Sequence, residues 1–343
     1  MRIREATQAD DRALLNLEAV SPQGDSTRIL LERTTYFYRP TVFDRGKVMV
    51  AEEDGRLVGI MSYAIKDVWL AGEVRPVAYV YDLRSDPGYR RSMKRGLFHL
   101  WKALEAEIGA HGARLTYGHI KEDNQAAMRV LLKGGLQRLA LFGVRTLPAV
   151  PAQGPLPPAC RDPLEGAARV EELVGKRNLR PVSVVDCYRK GLELGYLKGV
   201  YRLEHGRSFA QASVWDLSGL YRGRVLRLPV QLRLLGATIN PLSSLLPLPR
   251  IPRVGEPVNY WHCFDAYSSG RSGKRLMREL VQGLRRMAAH AGTDILTLFY
   301  YIDEPLLEVP QFLVQKTMRY HTLAQAPSEA LPRAPLYLDV RDL

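Results

Sequence analysis

Cysteine is scarce in this chain: three in 343 residues, at Cys160, Cys187 and Cys263. An odd number so widely spaced excludes a disulfide framework and a cysteine-ligated zinc site, and is at home in a reducing cytoplasm. No apolar run reaches membrane-spanning length, and the opening residues Met1 to Glu5 lack the apolar stretch of a secretory signal. Zinc-finger spacings, RNA-recognition signatures and basic heptads are missing as well. Acid is in short supply, with 36 Asp and Glu against 49 Lys and Arg, for a formal charge of +13. Such a charge suits a polyanionic partner: nucleic acid, an anionic membrane or a phosphorylated cofactor. Without a nucleic-acid motif, nucleic acid is the minority reading. No membrane partner is expected, and the chain is read as a monomer or homodimer.

The length exceeds one ordinary core and suits two. The Pro-rich stretch from Leu147 to Pro158 cannot hold regular structure, so it reads as a linker. Residues 1–146 and 164–343 are then two domains, with 147–163 between them. In the first, alternation predicts strands at Arg2–Ala6, Val77–Leu83, Arg114–Ile120 and Leu136–Val144, with a hairpin at 48–61 turning on Asp54-Gly55. Helices are predicted near Leu14–Leu17, Lys94–Ile108 and Asn124–Lys133. In the second, a helix is expected at Glu171–Leu179 and at Pro305–Val314, with strands at Val200–Leu203, Phe209–Leu217, Tyr260–Tyr267, Ile295–Tyr301 and Ala334–Val340. The Leu/Pro-rich stretch from Leu232 to Pro257 fits neither period.

One pattern occurs twice. Arg91-Ser92-Met93-Lys94-Arg95 returns as Arg271-Ser272-Gly273-Lys274-Arg275, a spacing of 180 residues (91 to 271), and the register continues through Leu100/Leu280, Leu104/Leu284 and Gly112/Gly292. Each copy follows a predicted strand and opens a predicted amphipathic helix. A basic turn ahead of a helix offers free N–H groups and the positive helix end to an anion. The chain therefore reads as a duplicated unit with up to two phosphate cradles.

With these residues in view, the first half resembles the GNAT acetyltransferase superfamily over almost its whole length, and the tandem arrangement resembles the enhanced-intracellular-survival acetyltransferases and mycothiol synthase. Pro87-Gly88-Tyr89-Arg90 matches the start of the family's Pro-x-x-Arg-x-x-Gly-x-Gly loop, while Met93 and Arg95 replace its glycines. Asn124, Ala127, Gly135 and Leu136 fit a later family pattern, in which Leu131 replaces a tyrosine. The resemblance implies an α+β fold: two tandem domains, each a mixed, twisted sheet with helices on both faces. It also implies acetyl-CoA as co-substrate and transfer of acetyl directly to an amine of a small molecule or peptide. The second half, which lacks the Asn-x-x-Ala pattern, resembles a degenerate copy.

By the same resemblance the pantetheine would run along Leu83, Arg84 and Ser85. Arg90, Arg91, Ser92, Met93, Lys94, Arg95 and Gly96 would hold the CoA phosphates, with Asn124 beside them. Gly270, Arg271, Ser272, Gly273, Lys274 and Arg275 form the equivalent set in the second half. Arginine suits phosphate bidentately, which offsets the missing glycines. Amine acetylation needs a base, since a lysine-like amine is mostly charged at neutral pH. Asp82, Tyr79 and His119 are the candidate catalytic residues, with Glu53 a further base candidate and Tyr81 and Tyr117 further proton donors. Asp82 is open to a second role as the counter-ion of an arginine, Asn124 to one as a helix cap, and His119 to one as a polar strand end. The spacing of 180 makes His262 the counterpart of Asp82, beside Tyr260 and Asp265. Two other functions fit the departures from the pattern: a non-catalytic pair that binds acyl-CoA or a polyanion, and an acyl or aminoacyl transferase with another donor.

Overall fold

The computed structural model describes residues 1–20, 28–37, 43, 45–89, 93–243, 246, 248–303, 316–326 and 335–342, the side chains of 93–95 and 126 apart. The predicted helix at Pro305–Val314 lies outside these residues.

In the N-terminal half, β1 (Arg2–Glu5) leads to helix α1 (Asp11–Ala19) and β2 (Arg28–Arg33). Then come β3 (Arg45–Glu53), β4 (Arg56–Leu70) and β5 (Glu73–Ser85). These three are joined by two-residue turns, Asp54-Gly55 and Ala71-Gly72, with positive φ at both positions of each. Such turns match the right-handed twist of the strands they connect. Helix α2 (Met93–Ala110), β6 (Leu115–Lys121), α3 (Gln125–Lys133) and β7 (Gln137–Pro148) complete this half.

The C-terminal half opens with α4 (Pro163–Val174) and α5 (Val184–Glu193). The single helix expected at 171–179 is interrupted: Gly175, at φ 52°, stops α4, and Ser183 starts α5 by accepting the Asp186 N–H on its Oγ. After β8 (Leu197–His205) and β9 (Ser208–Asp216) come β10 (Tyr221–Arg227), α6 (Val230–Ile239) and β11 (Pro257–Val258). The half closes with β12 (Tyr260–Ser269), α7 (Gly273–His290), β13 (Ile295–Tyr301) and β14 (Lys316–Gln325).

Eleven strands form one continuous sheet in the order β1-β3-β4-β5-β6-β14-β7-β13-β12-β9-β8, and β11-β10-β2 form a small second sheet. Two neighbouring pairs are parallel, β5 with β6 and β12 with β13. The centre is an exchange. β14, from the C-terminal half, lies between β6 and β7, and β7, from the N-terminal half, lies between β14 and β13. Ladder hydrogen bonds thus cross between the halves along two whole strands. The Pro-rich segment is docked: Leu147 and Pro148 are the end of β7, Ala149 and Val150 donate to Asp294 and Arg285 carbonyls, and Ala159 bridges Tyr201 at the edge strand β8.

Strand alternation divides the core into two faces. Ala78 and Val80 of β5 face α2, while Tyr79 and Tyr81 face the side covered by α4, α5 and residues 336–340. That covering segment, expected as a strand, instead makes a single bridge from Leu336 to Asn178 and ends in a short 3-10 turn at Val340–Asp342. Its alternation reflects burial on two sides, which periodicity alone cannot distinguish from a strand. Helix α5 comes so close to β9 that a Cβ on Gly191 would stand 2.2 Å from the Trp215 ring, whose Nε1 is tied to Ser213. Gly191→Ala is expected to destabilise the chain by about 1–3 kcal/mol through overpacking, read as a lower urea midpoint with an unchanged m-value.

Candidate active site

The ladder between β5 and β6 ends at Tyr79–Tyr117, although the strands run on to Ser85 and Lys121. The two strands part there. On β5 a bulge follows at once: Ser62 pairs with Tyr81 and Ile60 with Arg84, so that Asp82 and Leu83 share one partner on β4. Asp82 takes φ 53° to make it. A bulge of this kind frees one residue from the ladder and re-aims its neighbours.

The second half repeats the geometry. The β12–β13 ladder ends at Cys263–Leu298, and β12 bulges where Phe264 pairs with Ser213 and Tyr267 with Gln211. Asp265, at φ 49°, is the bulge residue. The counterpart of Asp82 is therefore Asp265, and His262 corresponds to Tyr79; this corrects the sequence alignment at 180. The spacing holds for the helices α2 and α7 but becomes 183 in the strand (82 to 265), because the turn in the second half is three residues shorter.

Asp82 is held bidentately by Arg33, at 3.0 and 3.2 Å, and Arg33 Nε meets Glu18 at 3.0 Å. Glu18 also takes Arg84 Nη2 at 2.6 Å. Two arginines and two carboxylates, all with side chains under a tenth exposed, form a neutral chain that pins the bulge to α1 and β2. Of its two possible roles, Asp82 displays that of counter-ion. Asp265, at the matching position, accepts from Tyr188 OH at 2.5 Å and Tyr337 OH at 3.1 Å. Burial and that carboxylate both push the two phenols well above their ordinary pKa.

A second buried cluster lies where β5 and β6 part, and three of its members escaped the sequence analysis. Lys66, on β4, is 1 % exposed and reaches Asp339 at 2.9 Å and Asp342 at 2.6 Å. Tyr117 OH donates to Asp342 Oδ2 at 2.7 Å, and Tyr79 OH donates to the Asp342 carbonyl. Burial first, then Asp342 and Asp339, hold Tyr117 well above its ordinary pKa, so it keeps its proton. Burial pushes Asp339 up, but Arg341 and Lys66 outweigh it and leave the group below the usual carboxylate range. His119 has Nδ1 3.2 Å from Thr322 Oγ1 of β14, while its Nε2 makes no hydrogen bond with a described residue and faces Asp342 Oδ2 at 3.7 Å. Tyr79 and His119 thus come together, with ring centroids 5.6 Å apart, and Asp82 belongs to the neighbouring network. A lysine inside an apolar strand, and an aspartate inside the alternating run Leu336 to Val340, are the signals that could have announced Lys66 and Asp339.

Arg90, Arg91 and Ser92 lie outside the described residues, as do the side chains of Met93, Lys94 and Arg95. Gly96 is buried in α2. Ahead of them Asp86 shapes the turn, accepting the Gly88 N–H at 2.8 Å and pairing with Arg56 at 2.7 Å. Leu83 packs toward α2, Arg84 is in the ion network and Ser85 pairs with Gly59. Asn124 caps α3, its Oδ1 accepting the Ala127 N–H. In the second loop Gly270 has φ 83° and no room for a Cβ beside Ser208, whose Oγ accepts the Ser272 N–H at 3.1 Å. Gly273 opens α7, Arg271 and Lys274 are exposed, and Arg275 pairs with Glu279. His262 is fully buried, with Nδ1 2.8 Å from Thr297 Oγ1 and Nε2 3.3 Å from Tyr221 OH. Among the described residues no cluster could hold a metal ion.

Two outcomes are expected from these buried groups. Lys66→Met strands two carboxylates beside the tail, and should lower unfolding free energy by about 3–5 kcal/mol in urea titration. Burial depresses the His262 pKa from 6.5 to about 4. The unfolded chain takes up that proton first, so stability is full above pH 6.5 and falls as pH is lowered toward 4. The loss is about 3 kcal/mol. Denaturation at a series of pH values should show this slope in the wild type and its removal in His262→Gln.

No curated protein matches the chain. Residues 2–119 match the family model described as Acetyltransferase (GNAT) domain. Among solved structures, Saccharomyces cerevisiae N-myristoyltransferase with bound myristoyl-CoA has 10 % identity and a TM-score of 0.57, covering 96 % of this chain and 80 % of that one. Eis1 from Mycobacterium abscessus has 12 % identity and a TM-score of 0.45, with 95 % and 74 % covered. A probable N-acyltransferase from Enterococcus faecalis V583 has 10 % identity and a TM-score of 0.46, with 95 % and 72 % covered. At such identities the likeness is one of fold. Residues 2–119 are therefore similar to a GNAT acetyltransferase domain, and the chain as a whole shares its fold with N-myristoyltransferase.

Proposed function

We propose that the chain transfers an acetyl group from acetyl-CoA to an amine, using the parting of β5 and β6 in the N-terminal half. The observation that carries this reading is His119 Nε2 at that parting, which makes no hydrogen bond with a described residue, with a backbone bulge on the neighbouring strand. The bulge near Leu83 supplies an N–H outside the ladder, the kind of donor that stabilises a developing oxyanion. His119 Nε2 takes the amine proton as the new C–N bond forms, and Asp342, at 3.7 Å, steadies the resulting cation. As the C–S bond breaks, that proton passes to the CoA thiolate. Tyr79 and Tyr117 hold Asp342 in place by their hydroxyls. Asp82 positions the bulge through Arg33.

Donor binding is assigned to the N-terminal half because the chain's own tail narrows the corresponding cleft of the other half to about 20 Å³. The space between β12 and β13 is lined by Leu336 and Leu338 of the chain itself. The acceptor's approach is read as a groove of about 400 Å³ between β4 and α5, lined by Phe43, Lys66, Asp67, Asp186, Trp215 and Arg341. The N-myristoyltransferase with bound myristoyl-CoA is consistent with an acyl-CoA donor on this fold.

The test is calorimetry with acetyl-CoA followed by CoA-release assays on a panel of amines. His119→Gln is expected to lower kcat by about 10²–10³ while the acetyl-CoA Kd stays within about threefold. Absence of acetyl-CoA binding, or an unchanged kcat in the variant, would refute the proposal.

A further inference from the structure

The excursion between β10 and β11 is used neither by the large sheet nor by the buried cluster. Residues 228–256 hold Arg233, Arg250 and Arg253 against the single acid Glu256, which pairs with Arg250, and Arg227 ends the strand before them, so a partner the excursion meets is selected for negative charge. Its helix α6 is nevertheless apolar on the outside. Val230 and Leu234, one turn apart, are each 65 % exposed, and exposed Ala237 continues the same stripe. Leu226, Leu242 and Val254 lie open on the flanking segments.

This exposure belongs to a folded element. Asn240 exchanges two 2.9 Å hydrogen bonds with the backbone of Ile251, and Gly236 packs against the Ile251 side chain, so the inner face of α6 is already covered. β10 anchors the excursion by pairing with β2, and Arg224 is tied to Glu32. On the outer side Leu226, Arg227, Leu228, Val230, Arg233 and Val254 surround an open cleft of about 380 Å³. Arg227, Arg233 and Arg253 are exposed and in no ion pair with a described residue.

An apolar stripe beside exposed arginines asks for a partner that is apolar within and anionic at its surface. A second copy of the same face would bring arginine against arginine, and a nucleic acid would leave Val230 and Leu234 in water. An anionic lipid surface meets both demands: the stripe enters the acyl boundary while the guanidinium groups stay among the headgroups. We propose that α6 and its flanking segments dock the protein on anionic lipid surfaces.

The experiment is co-sedimentation of the full chain with vesicles of phosphatidylcholine alone, or with about one-third phosphatidylglycerol. The wild type should partition to the anionic vesicles at least about tenfold better. Val230→Glu/Leu234→Glu should lose about tenfold or more of that partitioning with an unchanged Tm, and Arg227→Gln/Arg233→Gln should lose a similar amount. Equal partitioning of wild type and Val230→Glu/Leu234→Glu overturns the proposal. So does failure to sediment with either vesicle, whether or not size exclusion then shows a dimer. Tight binding of duplex DNA that survives Val230→Glu/Leu234→Glu, without vesicle binding, would also overturn it and assign the arginines to nucleic acid.

Discussion

A single ammonium group organises the middle of this molecule. Lys66 is buried inside β4, and its two carboxylate partners, Asp339 and Asp342, come from the far end of the chain. Removing three charges from water is costly, and the arrangement holds only because each is closely partnered. What it secures is position. With Lys66 in place, the tail lies across the sheet, Leu336 and Leu338 enter the parting of β12 and β13, and Asp342 meets Tyr117 and His119. One interaction thereby narrows one cleft and furnishes the other.

The same economy of parts shows in the carboxylates at the two bulges. Asp82 and Asp265 occupy matching strained positions, at φ 53° and 49°. Each is satisfied differently, by a bidentate arginine in one half and by two phenols in the other. Backbone geometry has been kept through the duplication while the surrounding chemistry diverged. In one half an ion network lies beside His119, which faces Asp342, and in the other His262 is neutral and hydrogen-bonded through both ring nitrogens.

Local structure was largely legible in the residues. The hairpin at Asp54-Gly55, the strands β5, β6, β12 and β13, and the helices α2 and α7 follow from turn chemistry and periodicity acting over a few residues. β2, β10 and β14 were not foreseen. Their residues are mixed in polarity, and each becomes a strand because a distant partner completes its ladder. The site divides likewise. Tyr79 and His119 could be picked out because they sit on strands whose order the repeat announces. Asp342 and Thr322 could not, because nothing short-range connects the last third of the chain with β4 and β6. The pairing of Asp82 with His262 failed for a simpler reason: a repeat aligned on its helices does not reveal three residues lost from the preceding turn.

The exchanged strands also bear on how the protein comes into being. Tyr117 of β6 pairs with Ala324 of β14, so the N-terminal half cannot complete its own sheet as it leaves the ribosome. Until β14 is synthesised, β6 and β7 present unpaired ladder edges, the surfaces on which strands from other molecules add most readily. Closure over so long an interval of chain is slow, because loop entropy is lost before the contacts that offset it are made. Nascent chains stalled before residue 316 should therefore be ready clients for chaperones, and the finished protein a single cooperative unit with no separable domain to unfold first.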